Sequence, residues 1–356
     1  MSQEHKRVVL TGGGTVGHVI LNKLLIPELI NKNIEPVYIG SKTGIEKEVI
    51  STTGITYKQI SSGKLRRYFS LENAVDVFRV MKGVFDARRI LKKVKPEFVF
   101  SKGGFVTVPV VLAAKSLNIP VYIHESDITP GLANKIAGKF ASKIFVTFEK
   151  TMQYVDNSKA EYIGPVIRDE LKRGSESVGY ELTGFNSSKE TILIIGGSLG
   201  AKHINKFVRE NLDELTKDYQ VIHITGQNNI DHSIETCHYK QFEFVKSELA
   251  HLLSISDTVI SRSGSNAIYE FLALRKPMIL IPLPLSQSRG DQIENATYFE
   301  EQGFAIKLDE DDLTMDTLKN ALIKINKERQ SYVDRMDNFD VGITSLELVE
   351  KLVSEE

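Results

Sequence analysis

Val8-Val9-Leu10-Thr11-Gly12-Gly13-Gly14-Thr15-Val16-Gly17-His18 decides the fold, because its plan recurs midway as Thr191-Ile192-Leu193-Ile194-Ile195-Gly196-Gly197-Ser198-Leu199-Gly200-Ala201. Each copy is a short apolar run, then a glycine-rich turn, then a helical stretch. A continuous β-branched run bounded by glycines reads as a strand buried on both faces, as in a parallel sheet. Further strands are expected at Pro36–Gly40, Phe98–Ser101, Val121–His124 and Lys143–Thr147 in the first half. In the second half they are expected at Gln220–Thr225, Glu243–Val245, Thr258–Ser261 and Met278–Pro282, with amphipathic helices throughout between strands. Two sets of strand-helix alternation predict an α/β protein of two Rossmann-like, doubly wound domains. The segment Gly164–Lys189 lacks a clear period and holds Pro165, Gly174, Gly179 and Gly184, which places the linker there. The expected division is therefore 1–164 and 165–342. The remainder, 343–356, carries a helix around Ile343–Val353 with no strand after it, available to pack back on the first domain.

The 356 residues, 41% hydrophobic and 26% charged, have ordinary globular composition and enough length for two domains. Forty-five Lys+Arg against 46 Asp+Glu give a net charge of −1. That balance hides an asymmetry. Residues 1–165 hold 24 basic and 14 acidic side chains, a net +10, and the rest hold 21 and 32, a net −11. Halves of opposite charge suggest different partners. The single cysteine, Cys237, excludes an intrachain disulfide and a multi-thiolate metal site. Met1–Arg7 leads into a very short apolar run, unlike a signal peptide, and no uncharged run approaches the roughly 18 residues of a membrane span. A cytoplasmic protein with no nucleic-acid partner is expected.

Gly12-Gly13-Gly14-Thr15-Val16-Gly17 satisfies the G-x-G-x-x-G pattern after a strand, but the second strand ends in Gly40-Ser41 rather than in the acid that would hold a dinucleotide ribose. What survives is an anion site, since glycine lets backbone approach a phosphate and a helix N-terminus offers N–H groups. His18 falls in the first helical turn, where the dipole disfavours imidazolium and suits a general base; capping or packing the turn is the plainer role. Ser198 can donate to a phosphate or cap the second helix. Arg262-Ser263-Gly264-Ser265-Asn266 forms a third strand-helix junction, with Glu270 one turn on, placed for ribose hydroxyls or simply solvated. Asp291-Gln292 lies on another loop at the strands' carboxyl ends, which line the crevice in open α/β sheets. Lys102-Gly103-Gly104-Phe105 gives the basic half a second anion-friendly loop. Lys64-Leu65-Arg66-Arg67-Tyr68-Phe69 precedes a helix bearing Val77, Phe78, Met81, Val84 and Phe85 beside Arg79, Lys82, Arg88, Arg89, Lys92 and Lys93. Such a helix is either core or a rest for an anionic membrane surface.

Taken in order, Gly13-Gly14-Thr15-Val16-Gly17-His18, Lys102-Gly103-Gly104-Phe105-Val106, His124-Glu125, Gly196-Gly197-Ser198-Leu199-Gly200-Ala201, Arg262-Ser263-Gly264 and Asp291-Gln292 resemble the MurG family of peptidoglycan N-acetylglucosaminyltransferases over essentially the whole chain. The resemblance implies a GT-B fold with an interdomain cleft. It implies an inverting, metal-independent transfer of N-acetylglucosamine from UDP-GlcNAc to the C4 hydroxyl of the muramoyl sugar of lipid I, with UDP-GlcNAc a substrate and no cofactor. On this resemblance the UDP-GlcNAc site comprises Arg168, Ser198 at the phosphates, Val245 at the uracil, Asn266 and Ala267 at the helix opening, Glu270 at the ribose and Gln292 at the sugar. The lipid diphosphate falls to Gly14, Thr15, Gly17, Gly103 and Gly104, with His18 near the chemistry.

Two departures stand out. Val16 replaces a glycine of the family's first loop, removing free access to positive φ. The family's His-Glu-Gln-Asn becomes His124-Glu125-Ser126-Asp127, and Asp127 accepts but cannot donate as an amide does, making it a second base candidate. Peripheral association with the cytoplasmic face of the cell membrane, through the basic domain, follows from a polyprenyl acceptor. The alternatives are a UDP-GlcNAc 2-epimerase, an NAD-dependent oxidoreductase, and a non-enzymatic nucleotide-sugar or membrane scaffold.

Overall fold

The computed structural model describes residues 6–63, 71–197, 200–234, 236–339 and 342–355, the side chains of 71–77 excepted. The chain forms two units, residues 1–166 with 342–356, and residues 167–341.

The first unit is built on β1 (Arg7–Thr11), β2 (Glu35–Ser41), β3 (Thr56–Ile60), β4 (Val99–Ser101), β5 (Val121–Glu125), β6 (Lys143–Val146) and β7 (Ala160–Tyr162). They pair in parallel in the order β3-β2-β1-β4-β5-β6-β7. Alternation along β1 shows why the apolar run is continuous. Val9 faces one helical layer with Ala87, Leu91, Val110 and Val111, whereas Val8 and Leu10 face another with Val19, Leu25 and Leu29. That second layer is completed from the far end of the sequence by Leu348, Val349 and Leu352 of the helix Ser345–Ser354. A capping box starts this helix: the Glu347 N–H donates to Thr344 Oγ1 at 3.2 Å, and the Thr344 N–H donates to the Glu347 carboxylate at 2.7 Å. Lys351 pairs with Glu161 at 2.7 Å and Lys32 with Glu350 at 3.1 Å.

The second unit has β8 (Thr191–Ile195), β9 (Gln220–Ile224), β10 (Tyr239–Phe242), β11 (Thr258–Ser261), β12 (Met278–Leu280) and β13 (Ala305–Lys307), all parallel, in the order β10-β9-β8-β11-β12-β13. The edge strand β10 precedes the expected Glu243–Val245, which is not a strand; Phe244 stands 53% exposed. Gly164–Lys189 is also more than a connector. Its helix Glu176–Thr183 packs on Glu248–Ser254 within the second unit, and Gly174 and Gly179 approach the Ala250 and His251 carbonyls so closely that a Cβ would sit 2.2 and 2.4 Å away.

Both sheets reverse direction of growth once, between β1 and β4 and between β8 and β11. Ligands of open α/β sheets bind at the carboxyl ends beside such switch points. Each switch point is flanked by two of the glycine loops.

Candidate functional site

In the first unit the loops after β1 and β4 touch: the Gly13 N–H donates to the Gly103 carbonyl at 3.2 Å. A Cβ on Gly104, whose φ is +89°, would lie 2.0 Å from the Gly13 oxygen, so only glycine permits this approach. Val16 sits at φ −59°, ordinary helical backbone, so the valine departure costs the loop nothing; the left-handed residue is Gly14 at φ +87°. Thr15 and Gly14 are exposed, and Gly17 opens the helix Gly17–Asn31.

His18 is the second residue of that helix and half-buried. Its Nδ1 lies 3.1 Å from the Gly13 carbonyl oxygen and 3.2 Å from Thr15 Oγ1. A carbonyl only accepts, so Nδ1 carries the proton and the lone pair sits on Nε2. That is the tautomer of a general base. Asp127 follows β5, the strand beyond β4, with its N–H donating to Glu125 Oε1 at 3.0 Å and its carbonyl accepting from Thr151 Oγ1 at 3.1 Å. Glu125 itself is buried and consumed by the turn, accepting from the Ser126 and Gly131 amides at 2.8 and 3.1 Å and from Asn134 Nδ2 at 2.9 Å.

Two charged groups beside these loops are buried against expectation: Lys102, read from sequence as part of an anion-friendly loop, and Glu46, which the sequence does not single out. Lys102 is 1% exposed, and its Nζ donates to His124 Nδ1 at 2.8 Å. Burial pushes the Lys102 ammonium down to about 8, against the opposing pull of Glu125 and Asp127. Burial, then the lysine charge, holds His124 well below its usual value, so the ring is neutral. Glu46, also 1% exposed, lies behind the first glycine loop, where the Gly14 N–H faces its Oε2 at 3.4 Å. A helix acid ordinarily reads as solvated; the one signal is that glycines precede it at Gly40 and Gly44.

In the second unit, Ser198 lies outside the described residues. Its neighbours Gly197 and Gly200 have φ of +90° and +75°, and a Cβ on Gly200 would meet the Thr225 carbonyl at 2.1 Å. After β11, the helix Ser265–Ala273 carries exposed Asn266 and half-buried Ala267 and Glu270 on one face. Arg168 grips Glu270 bidentately, Nε to Oε1 at 2.6 Å and an Nη to Oε2 at 2.8 Å. Each carboxylate oxygen retains a second lone pair for a hydroxyl donor. Gln292 bridges two loops, its Oε1 accepting from the Ser263 and Leu283 amides at 3.3 and 3.1 Å. Its amide NH2 is thus the end left to act as a donor. Buried Arg262 ties the same loops by donating to the Ile281 and Pro282 carbonyls, each at 3.2 Å, and pairs with Glu310. Val245 is half-buried ahead of Glu248–Ser254, apart from the β8–β11 switch point in sequence order but at the carboxyl end of β10.

The helix Leu71–Val94 in the first unit divides its faces. Val84, Ala87, Leu91 and Val94 pack on the core, whereas Phe78, Met81 and Phe85 are 76%, 52% and 68% exposed. Val84 thus leaves the expected apolar stripe, and Val77 and Lys64–Phe69 lie outside the described side chains. Arg88 is anchored, donating to the Ser116 carbonyl at 3.1 Å; Arg89, Lys92 and Lys93 are exposed. None of the described helices is long and apolar enough to cross a membrane. Among the described residues no group of three His, Cys, Asp or Glu is placed to hold a metal ion.

Residues 8–146 match the glycosyltransferase family 28 N-terminal domain and residues 191–351 its C-terminal domain. The UDP-N-acetylglucosamine–N-acetylmuramyl-(pentapeptide) pyrophosphoryl-undecaprenol N-acetylglucosamine transferase of Staphylococcus aureus is 55% identical over 351 residues, 98% of this chain and 99% of that one. The crystal structure of MurG from Acinetobacter baumannii superimposes with a TM-score of 0.78 at 23% identity, covering 99% of this chain and 100% of the other. A UDP-GlcNAc 2-epimerase from Neisseria meningitidis shares the fold at a TM-score of 0.66 and 14% identity, covering 99% and 100%. The chain belongs to glycosyltransferase family 28, with the GT-B fold and the MurG line of N-acetylglucosaminyltransferases as its kin.

Proposed function

We propose that this protein transfers N-acetylglucosamine from UDP-GlcNAc to the C4 hydroxyl of the muramoyl sugar of undecaprenyl-diphospho-MurNAc-pentapeptide, lipid I, giving lipid II for peptidoglycan synthesis. The observation that carries it is the 55% identity across 98% of the chain to a transferase whose name states that donor and acceptor.

The residues fit the chemistry as follows. The acceptor hydroxyl attacks the anomeric carbon from the face opposite the diphosphate; one bond forms as the other breaks, and configuration inverts. That needs a base on the hydroxyl and stabilisation of the departing charge. His18 Nε2 takes the proton while Nδ1–H stays on the Gly13 carbonyl. The amides of the β8 loop and Ser198 meet the donor phosphates, Glu270 takes the ribose hydroxyls with its oxygens aimed by Arg168, and Gln292 donates to the sugar. Asn266, Ala267 and Val245 flank the nucleotide. Gly14, Thr15, Gly17, Gly103 and Gly104 receive the lipid diphosphate. The charge on UDP is met by these groups without a metal or organic cofactor.

The acceptor's polyprenyl chain stays in the bilayer, so we read Phe78, Met81 and Phe85, beside Arg89, Lys92 and Lys93, as the surface that rests on an anionic cytoplasmic leaflet. The activity test is purified protein with labelled UDP-GlcNAc, with and without a lipid I analogue. Transfer only with acceptor is expected. Epimerised free UDP-sugar with no transfer would replace this reading by the epimerase one.

A further inference from the structure

Glu46 sits in the helix Ile45–Ser51, yet its carboxylate is turned inward and 1% exposed. The sequence clears room for it at three places. A Cβ on Gly13 would lie 2.6–2.9 Å from the carboxylate, one on Gly44 2.2–2.4 Å, and one on Gly40 3.0 Å from Cγ. Its hydrogen-bond donors are neutral: the Ser41 N–H at 3.0 Å and Ser41 Oγ at 2.5 Å on Oε1, and the Gly14 N–H at 3.4 Å on Oε2. These are three donors on two oxygens, so the site needs an acceptor at both ends of the group, and a glutamine would set its NH2 against the Gly14 N–H, donor against donor. A carboxylate therefore fits this place where an amide does not, and it brings a negative charge to the back of the glycine loop.

The Gly14 N–H and the Gly13 carbonyl belong to one peptide plane and point opposite ways. On one side of that plane lies Glu46; on the other, 3.1 Å from the carbonyl oxygen, lies His18 Nδ1. The chain of contacts runs carboxylate, N–H, C=O, imidazole N–H. We propose that Glu46 is the positioning residue of His18, acting through the Gly13–Gly14 peptide. A negative charge at the N–H end polarises the peptide and makes its oxygen a stronger acceptor. This holds His18 as the Nδ1–H tautomer and steadies the imidazolium that forms when Nε2 takes the acceptor proton. The arrangement does the work of a carboxylate bonded directly to a catalytic imidazole, with one peptide interposed. The proposal rests on His18 as the base.

The test is a double-mutant cycle with Glu46→Gln, which keeps the volume, His18→Ala, and both together, at saturating UDP-GlcNAc and lipid I analogue. His18→Ala should lower kcat by roughly 10²–10⁴-fold. Glu46→Gln should lower kcat by roughly 10–100-fold, the range found when a carboxylate behind a metal-bound histidine is removed, with KM for UDP-GlcNAc unchanged. In the His18→Ala background it should cost nothing further. An equal loss in both backgrounds would reduce Glu46 to a loop staple and overturn the proposal. A second readout is independent of the reaction: in 15N-histidine-labelled protein, the His18 ring should show the Nδ1–H pattern in wild type and move toward Nε2–H in Glu46→Gln. Unchanged His18 ring resonances would refute the coupling. Full turnover by His18→Ala would instead remove the base assignment and leave the ring measurement to judge the Glu46 link alone.

Discussion

Replacing Lys102 by methionine should flatten the pH dependence of stability between pH 7 and 9.5. The wild-type ammonium is wholly enclosed, with its proton donated to His124 Nδ1 at 2.8 Å, and burial lowers its pKa from 10.5 to about 8. The sign follows from linkage. Between 8 and 10.5 the unfolded chain holds the proton that the folded protein has released, so stability rises with pH across that window. Evaluating both ionisations, the folded state is disfavoured at pH 7 by about 3 kcal/mol and at pH 9.5 by about 1, a gain of about 2 kcal/mol. Methionine keeps an unbranched side chain, one atom shorter, and removes the ionisation. Burial also raises the Tyr38 and Tyr57 hydroxyls, which penalises the fold only near and above pH 10, so the series stops at 9.5. The chain has no tryptophan, and urea unfolding is followed by circular dichroism. Wild type should gain about 2 kcal/mol more than Lys102→Met from pH 7 to 9.5. Parallel curves would mean that the lysine titrates normally or is hydrated, and the argument from burial would fail.

Glu270→Ala removes the acceptor proposed for the ribose hydroxyls and leaves the Arg168 guanidinium without its bidentate partner. Charge-assisted hydrogen bonds of about 1.5–3 kcal/mol predict at least about tenfold weaker UDP binding by calorimetry, and unchanged affinity would exclude the ribose role. Gly104→Ala forces a left-handed alanine and a Cβ onto the Gly13 oxygen. Beyond about 1–2 kcal/mol of backbone cost, it should part the two loops, raising KM for the lipid acceptor while KM for UDP-GlcNAc holds; the opposite split would move the acceptor loops elsewhere. Reversing Arg89, Lys92 and Lys93 to Glu should abolish sedimentation with anionic vesicles, each cation being worth about 1 kcal/mol there, and leave UDP binding intact. Equal vesicle binding by the variant would show that this helix is not the docking face.

The strands that were legible are those with both faces buried. Val8–Leu10, Phe98–Ser101, Val121–His124, Thr191–Ile195 and Thr258–Ser261 read as continuous apolar runs because helices cover both sides of the sheet. The edges were not. Strands β3 and β7 leave residues in water, β13 is only three residues long, and at β10 the more apolar Glu243-Phe244-Val245 outcompetes Tyr239–Phe242 as a strand pattern. At the site, glycine loops announce themselves because positive φ and close approach restrict the residue type. Glu46 and Lys102 do not. Their burial depends on space cleared by residues distant in sequence, such as Gly13 and Gly40 around Glu46, and a charged residue on a helix or at a strand end reads as solvated until that space is seen. Arg168 was placed by resemblance, but its partner across 102 positions is a fact of folding alone.

The helix Ser345–Ser354 has a consequence for synthesis. The second unit, 167–341, is contiguous, so everything it needs has been translated once residue 341 is made. The first unit has no such luck of order. Its residues up to 166 emerge before the second unit, but Leu348, Val349 and Leu352, which share a core with Val8, Leu10 and Leu25, come only after it. Domains made from contiguous sequence fold as the ribosome delivers them. Here the unit begun first must wait, with the apolar side of Gly17–Asn31 uncovered, while an entire second domain is made. A message ending at codon 342 would yield a finished second unit tethered to an unsealed first one, a form that chaperones would hold and proteases would clear.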